Sequence, residues 1–190
     1  MPRMKEFDPD QALDAAMRVF WEKGYQGTSA QDLCDGTGLG RSSIYATFAS
    51  KRGLYERALR RYDELMAERQ EALLADGGVP LRDRLRALLA AVVDDELGDG
   101  PRGCFAVNAA VEFGGRDPVV TALVERSFAR MRQALRTAIA GASGGGDPAV
   151  LADYVHASMN GLRVMSRTVR DRRRLMAVAD TVVDAVAPPA

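Results

Sequence analysis

The chain has 190 residues, of which 47% are hydrophobic and only 6% aromatic, so it can bury the core of one domain or of two small ones. Its 26 basic and 26 acidic side chains cancel, and a net charge of zero taken alone argues against a nucleic-acid partner. No apolar run reaches the roughly 18 residues of a membrane span, and the polar N-terminus lacks an apolar signal core, so we expect a soluble cytoplasmic protein with no membrane partner.

Two helices are predicted at the start of the chain. The first begins near Asp8, because Pro9 suits an early helical position, and Gly24 ends it. Its apolar residues recur at helical spacing and form one buried stripe. The stripe consists of Ala12, Leu13, Ala16, Met17, Phe20 and Trp21. Thr28 then offers a capping hydroxyl for a second, short helix, with Gln31 as its capping-box partner.

A glycine-rich turn over residues 36–40 separates the second helix from a third, short helix over 41–48. In the third helix Ile44 and Phe48 lie four residues apart on one face and can pack against Leu33 of the second. The other faces carry compact hydroxyls, one arginine and one phenol, which can bond phosphates or base edges. This arrangement is typical of a helix-turn-helix that reads DNA.

The remainder of the chain is predicted to be helical. Ser50 caps a long fourth helix, which a break at 76–80 ends. Glycine, proline or arginine-rich breaks separate five more helices, expected over 81–97, 101–113, 118–140, 148–167 and 171–186. No segment alternates like a β-strand. The sequence therefore predicts an all-α fold of about nine helices, with a helix-turn-helix domain over 1–50 and a regulatory domain over 51–190.

Charge is segregated along the chain although the total is zero. Residues 41–61 hold six basic side chains against one acid, whereas 94–99 is acidic. Within the basic block Lys51 opens a helix, a position that favours phosphate, and the arginines after it are interpreted as solvated. A second arginine cluster, over 163–174, is expected to pair with the acidic segment rather than with nucleic acid.

Joined motifs between residues 24 and 55 resemble the TetR/AcrR repressor family. The matching residues are Gly24, Tyr25, Thr28 and Ser29, then Thr37, Gly38 and Leu39, then Ser43, Ile44, Tyr45, Phe48, Ser50, Lys51, Leu54 and Tyr55. The resemblance implies that Thr28 and Ser29 touch the DNA backbone and that Lys51 grips a phosphate. It also implies a recognition helix whose DNA contacts are Arg41, Ser42, Ser43, Tyr45 and Thr47. Gly40 departs from the family's usual serine or threonine cap and gives up one phosphate contact.

No catalytic, metal or cofactor site is predicted. One histidine and two cysteines exclude a multi-histidine zinc site and a disulfide framework. Cys104 is expected to open a helix, where the helix dipole stabilises a thiolate, and Asn108 and Glu112 follow it at spacings of four on one face. Structural packing, a pocket lining and a redox sensor all remain open for Cys104. Asn108, Glu112 and Met159 are the other candidates for an effector pocket.

The last two helices are predicted to form a homodimer, because each carries an apolar stripe that a partner could cover in a four-helix bundle. The stripes are Tyr154, Val155, Met159 and Leu162 in one, and Leu175, Ala179, Val182, Val183 and Val186 in the other. We therefore expect a one-component transcriptional regulator, a repressor released from a palindromic operator by an unknown small-molecule or redox effector. The alternative is a helical small-molecule binder or thiol switch that acts through a protein partner. An enzyme is less well supported, because no nucleophile–base pair stands out.

Overall fold

The computed structural model describes residues 8–75, 77–98, 102–142 and 146–188, and every regular element in those ranges is an α-helix. The helices in chain order are α1 Pro9–Gly27, α2 Ala30–Thr37, α3 Arg41–Phe48, α4 Lys51–Ala75, α5 Leu81–Leu97, α6 Phe105–Phe113, α7 Pro118–Ala140, α8 Pro148–Ser166 and α9 Arg172–Val186. The all-α prediction is confirmed, and so are the predicted bounds of the third, fifth and seventh helices. None of these helices is long and apolar enough to cross a membrane.

α1 begins and breaks where its sequence predicts. The Asp8 carboxylate accepts a hydrogen bond from the Asp10 amide at 2.9 Å, and Pro9 stands at the first helical position. At Gly24 the backbone takes φ +72° and ψ 175°, a conformation that glycine adopts without a side-chain clash. Helical geometry is therefore interrupted there, and the final turn up to Gly27 follows a kink.

The cap of α2 lies one residue later than predicted. Ser29 caps the helix and Asp32 completes the capping box: the Asp32 amide donates to Ser29 Oγ at 3.1 Å, and the Ser29 amide donates to Asp32 Oδ2 at 2.7 Å. Thr28 is buried, and its hydroxyl donates to the Gly24 carbonyl at 2.6 Å. The prediction of a Thr28–Gln31 box is wrong, because the kink turns Thr28 inward to satisfy that carbonyl.

α6 starts later than predicted. The expected first residue, Pro101, lies outside the described residues, while Gly103 adopts φ +70° and Cys104 is extended. This turn delays the helix to Phe105, so Cys104 stands at the cap position and not inside α6. α8 ends one residue earlier, and α9 begins one residue later, than predicted.

Two clusters of buried side chains hold the helices together. One joins α1, α2, α3 and the first half of α4 to α6 and the start of α7. At its centre the Tyr55 ring meets Phe20 and Phe105 edge to face, with centroids 5.1 and 5.4 Å away. The other cluster joins the end of α4 to α5, α7, α8 and α9. α6 thus packs with the helix-turn-helix, although it lies far beyond residue 50, where the domain boundary was expected.

The apolar stripes of α8 and α9 are turned into their own subunit. Val155, Met159 and Leu162 of α8 are at most 2% exposed, and all five stripe residues of α9 are buried. Only Tyr154, 41% exposed, faces outward. The prediction that these stripes form the dimer seam is wrong, because the α8 stripe packs against α5 and α7 and the α9 stripe packs against α5 and α8. The outward faces instead carry small and apolar residues, namely Val150, Tyr154, Ala157, Gly161 and Val164 on α8 and Ala177, Val178, Thr181 and Ala185 on α9.

Candidate DNA-binding surface and regulatory cavity

α3 is anchored by one face and open on the others. Ile44 and Phe48 are 2% and 4% exposed and hold the helix against the core, as predicted. The turn before α3 depends on Gly38, which ends α2 at φ +69°. Gly40 caps α3 without a side-chain hydrogen bond, which leaves the first amides of the helix free to meet a phosphate.

The predicted recognition residues lie on the open faces of α3. Arg41 and Ser42 are exposed, whereas Ser43, Tyr45 and Thr47 are half-buried. The Arg41 guanidinium lies 5.7 Å from the centre of the Tyr45 ring, so the phenol supports the arginine from the side. The Thr47 hydroxyl donates to the Ser43 carbonyl at 3.0 Å. Arg41, Ser42 and Tyr45 therefore form the polar edge that a groove can receive.

Thr28 and Ser29 differ in what they can touch. Thr28 is 1% exposed and its hydroxyl is committed to Gly24, so the expected phosphate contact from this side chain is excluded by its burial. Ser29 is exposed beside the carboxylate of Asp32, and hydrogen bonds from Lys23 and Ser29 hold the pKa of that carboxyl well below its usual range. Of the two residues only Ser29 lies on the surface at the start of α2.

Lys51 is the first residue of α4, and its ammonium group lies over an aromatic ring. Its Nζ lies 4.4 Å above the centre of the Tyr25 ring, and within the described ranges no acidic side chain forms an ion pair with it. Of the basic residues that follow it, Arg52 Nη2 lies 2.6 Å from Asp117 and Arg61 Nε lies 2.9 Å from Asp14, whereas the Arg57 guanidinium lies 5.0 Å from the centre of the Phe48 ring. Lys51 is thus a cation that a ring holds in place and that can receive a phosphate.

A small cavity lies between α4, α7 and α8, beside the start of α6. Its open space is about 40 Å³, room for no more than a few water molecules. It is lined by Tyr62, Asp63, Met66, Ala67, Gln70, Glu71, Cys104, Ser127, Phe128, Arg130, Met131, His156, Met159, Asn160 and Arg163. Two predicted effector residues, Cys104 and Met159, therefore share one wall of side chains.

Burial keeps two titratable groups of the cavity lining, Tyr62 and His156, uncharged. The Tyr62 hydroxyl contacts the Cys104 thiol, and burial raises the pKa of Tyr62 well above its usual value. Burial, with Arg132 and Arg163 nearby, lowers the pKa of His156 to about 4, so its imidazole is uncharged at neutral pH. The His156 ring also packs on Phe128, with centroids 5.1 Å apart. The sulfur atoms of Cys104 and the methionines give the cavity an apolar part that suits a small apolar molecule or chemistry at the thiol, while Asp63, Glu71, Arg130 and Arg163 are the charged residues of its lining.

Asn108 and Glu112 do not line this cavity. Asn108 donates to the Arg102 carbonyl at 2.8 Å and accepts from Arg167 at 3.3 Å. The Glu112 carboxylate accepts two backbone hydrogen bonds from the last turn of α1. Asn108 and Glu112 were expected to share one helix face with Cys104. Only Asn108 and Glu112 lie within α6, because Cys104 precedes the helix.

The second arginine cluster pairs with the acidic segment, as predicted. Arg172 Nε lies 2.7 Å from Asp94 Oδ1, and Arg170 donates to the Glu96 carbonyl at 2.7 Å. Glu96 itself is nearly buried, accepts from the Gly103 amide at 3.1 Å, and has its pKa raised by burial. These arginines stabilise the junction of α5 with α8 and α9.

Family models match both parts of the chain. Residues 12–58 match the model described as "Bacterial regulatory proteins, tetR family", and residues 82–182 match "Tetracyclin repressor-like, C-terminal domain". The chain belongs to the TetR family. It is a transcriptional regulator with its helix-turn-helix in α2 and α3.

Relatives of this TetR-family protein match along its whole length. It is 29% identical to the "HTH-type transcriptional repressor ComR" of Escherichia coli over 95% of this chain and 90% of that protein. It is 34% identical to the "Uncharacterized HTH-type transcriptional regulator YezE" of Bacillus subtilis, covering 92% and 94% of the two chains.

Solved structures share the fold of the TetR-family chain. A cysteine mutant of the TetR regulator CifR, complexed with 26-bp double-strand operator DNA, superposes with a TM-score of 0.80 at 31% identity over 97% of this chain and 99% of that one. The reduced form of E. coli NemR has a TM-score of 0.83 at 20% identity, over 95% and 98% of the two chains, and shows the fold alone.

The sequence did not predict the contacts of two residues near the cavity, Trp21 and Tyr62. Trp21 was assigned to the core, but it is half-buried and its indole donates to the Gly103 carbonyl at 2.8 Å. Tyr62 was not among the predicted site residues, and nothing near it in the sequence indicates its contact with Cys104. Both partners lie more than forty positions away in the chain, so no local pattern indicated them.

Proposed function

We propose that this TetR-family protein is a homodimeric repressor that binds operator DNA through α3 and releases it when the cavity beside Cys104 is filled or modified. The observation that carries the proposal is the pairing of an open recognition helix with Lys51, a cation that lies over a ring and forms no ion pair with the carboxylates that the structure describes. The related CifR is described in complex with operator DNA, and ComR is described as a repressor. The proposal places the protein beside the chromosome in the cytoplasm, where it acts by binding and without catalysis.

The proposed contacts divide into those that read bases and those that hold the backbone. Arg41, Ser42, Ser43, Tyr45 and Thr47 project from α3 and are the candidates for base edges and nearby phosphates. Lys51, Ser29 and the free amides at the start of α3 are the candidates for phosphate. Thr28 is withdrawn from this set because it is buried.

The dimer is proposed to form through the outward faces of α8 and α9. Along α8 the exposed residues Val150, Tyr154, Ala157, Gly161 and Val164 recur at helical spacing. No atom lies within 4 Å of the position that a Gly161 side chain would take, so a partner helix can approach closely there. A two-fold axis at this face would present two copies of α3 to successive major grooves, about 34–36 Å apart.

The effector signal is proposed to act at Cys104. The cavity holds only about 40 Å³, so a ligand or a modified thiol must push its walls apart. Hydrogen peroxide would convert the thiol to a sulfenic acid, with peroxide reduced to water, and would add an oxygen against Tyr62. A small apolar ligand would displace the same side chains. Either event favours a second arrangement of the subunit, and a preference of about 2–3 kcal/mol would release most of the DNA.

The experiment is a fluorescence-anisotropy titration of the protein with a labelled duplex taken from upstream of its own gene, before and after peroxide treatment. If the thiol is the sensor, peroxide abolishes binding by the wild type and spares Cys104→Ser. Cys34→Ser is the matched control, because this second cysteine lies half-buried in α2, and it should respond as the wild type does. If the wild type keeps its DNA after mass spectrometry shows complete oxidation of Cys104, the redox branch is wrong and the cavity is left to a ligand.

A further inference from the structure

Glu112 joins α6 to the turn that precedes α2. One of its carboxylate oxygens, Oε2, accepts from the Tyr25 amide at 2.9 Å, and the other, Oε1, accepts from the Gln26 amide at 2.7 Å. A carboxylate that accepts two backbone N–H groups makes charge-assisted bonds and fixes both peptide groups at once. The two segments are distant in the chain, so this contact ties the end of α1, directly before α2, to α6.

The kink in α1 makes the contact fit. Gly24 takes φ +72°, and a Cβ at this position would lie 3.0 Å from Glu112 Oε2. Any other residue would therefore be strained in its backbone and would also press on the carboxylate. The glycine both turns the next two amides towards α6 and leaves space for the oxygen that they bind.

Tyr25 carries the contact onward to the DNA-binding surface. Its amide is held by Glu112, and its ring lies 4.4 Å beneath the Lys51 ammonium. The ring is also fixed by Tyr55 and Phe113, whose centroids are 5.1 and 5.6 Å away. The backbone position of Tyr25 and these ring contacts together set the position of the ring. The ring in turn sets where the Lys51 ammonium group rests.

α6 also reaches the cavity at its other end. Cys104 precedes Phe105, the first residue of the helix, and lines the cavity with Tyr62, whereas Glu112 lies in the last turn. α6 has only nine residues, so a shift at its start moves Glu112 as well.

We infer that Glu112 is a positioning residue for DNA binding: its carboxylate fixes the backbone of Tyr25, whose ring holds Lys51 for an operator phosphate. The same contact carries a displacement of α6 at the cavity to the DNA-binding surface. The inference rests on the proposed function, since it concerns how operator binding is prepared and lost.

The test is a double-mutant cycle on operator affinity. In Glu112→Gln the side chain keeps its length, but its NH2 group faces one of the two amides and the charge is gone, so operator binding should weaken about tenfold. In the Lys51→Ala background the same change should cost less than about twofold, because the cation it positions is absent. Glu112→Asp, one methylene shorter and still charged, should fall between wild type and Glu112→Gln.

Two further readouts separate positioning from general weakening. Glu22→Gln is the matched control, since Glu22 and Glu112 line one surface groove and the 51% exposed Glu22 side chain makes only a surface ion pair with Arg102, so the change should leave affinity within about twofold. Hydrogen exchange should show the Tyr25 and Gln26 amides protected in the wild type and exchanging faster in Glu112→Gln.

Failure of the Glu112 inference and failure of the proposed function give different results. Equal losses from Glu112→Gln with and without Lys51, or wild-type affinity in Glu112→Gln, would overturn the inference while leaving operator binding intact. Rapid exchange of both amides in the wild type would overturn it as well. A wild-type protein that binds none of its upstream DNA would instead remove the proposed function, and the inference with it.

Discussion

Replacing Val183 with alanine should destabilise each subunit and leave the dimer assembled. The Val183 side chain is fully buried in the cluster that joins α5 and α9. Removing two carbons costs about 1.6 kcal/mol at roughly 0.8 kcal/mol per buried CH2, and the remaining cavity raises the loss to about 2–3 kcal/mol. For a chain of this size the melting temperature should fall by about 5–10 °C.

The assay is thermal unfolding at a fixed protomer concentration, combined with light scattering, because dimer stability depends on concentration. The comparison variant is Gly161→Arg on the outward face of α8, where a Cβ would meet nothing within 4 Å beyond its own helix backbone. It should yield helical monomers. Val183→Ala that melts like the wild type but runs as a monomer would show that α9 uses its stripe for assembly, and Gly161→Arg that stays dimeric would place the seam elsewhere.

The remaining predictions concern single residues. His156 has a folded pKa of about 4, below its unfolded value of about 6.5, so the unfolded state binds the extra proton and stability falls as pH drops through that window. His156→Gln should therefore lose less of its urea midpoint than the wild type between pH 7 and pH 5; equal losses would contradict a buried neutral imidazole. Ser29→Ala removes the cap of α2 and should cost about 1 kcal/mol in urea unfolding, whereas Gln31→Ala should cost less than half of that. Equal losses of stability in the two variants would support the predicted Thr28–Gln31 capping box instead. Gly24→Ala should weaken operator binding in anisotropy titrations through strain at φ +72°, and wild-type affinity would argue against a required kink.

The sequence predicted those helix ends that depend on residues close by in the chain. The bounds of α3, α5 and α7 follow from proline, glycine and capping residues placed within a few positions of each helix end. The cap of α2 was misplaced because two hydroxyl residues, Thr28 and Ser29, stand side by side. Only the kink at Gly24, which points Thr28 inward, decides between them.

Contacts between distant segments of the chain could not be predicted from the sequence. An apolar stripe such as that of α9 shows that one face is buried, and it gives no sign whether a neighbouring helix or a second subunit buries it. The small residues Ala157 and Gly161 on the opposite face of α8 were the available signal for close helix approach. Glu112 was predicted to share an effector face with Cys104, whereas its partners in the structure are the amides of Tyr25 and Gln26, which carry no sequence signature.

Operator affinity of matched variants tests the central claim most directly. The wild-type dimer, Tyr45→Ala and Lys51→Ala are titrated against the labelled upstream duplex across a range of salt concentrations, with an unrelated duplex alongside. Tyr45→Ala should weaken binding to the upstream sequence while the dimer stays folded. Lys51→Ala should weaken binding to both sequences almost equally and lower the salt dependence by about one unit per protomer. If both variants bind the upstream duplex as the wild type does, α3 and the start of α4 are not the DNA-binding surface.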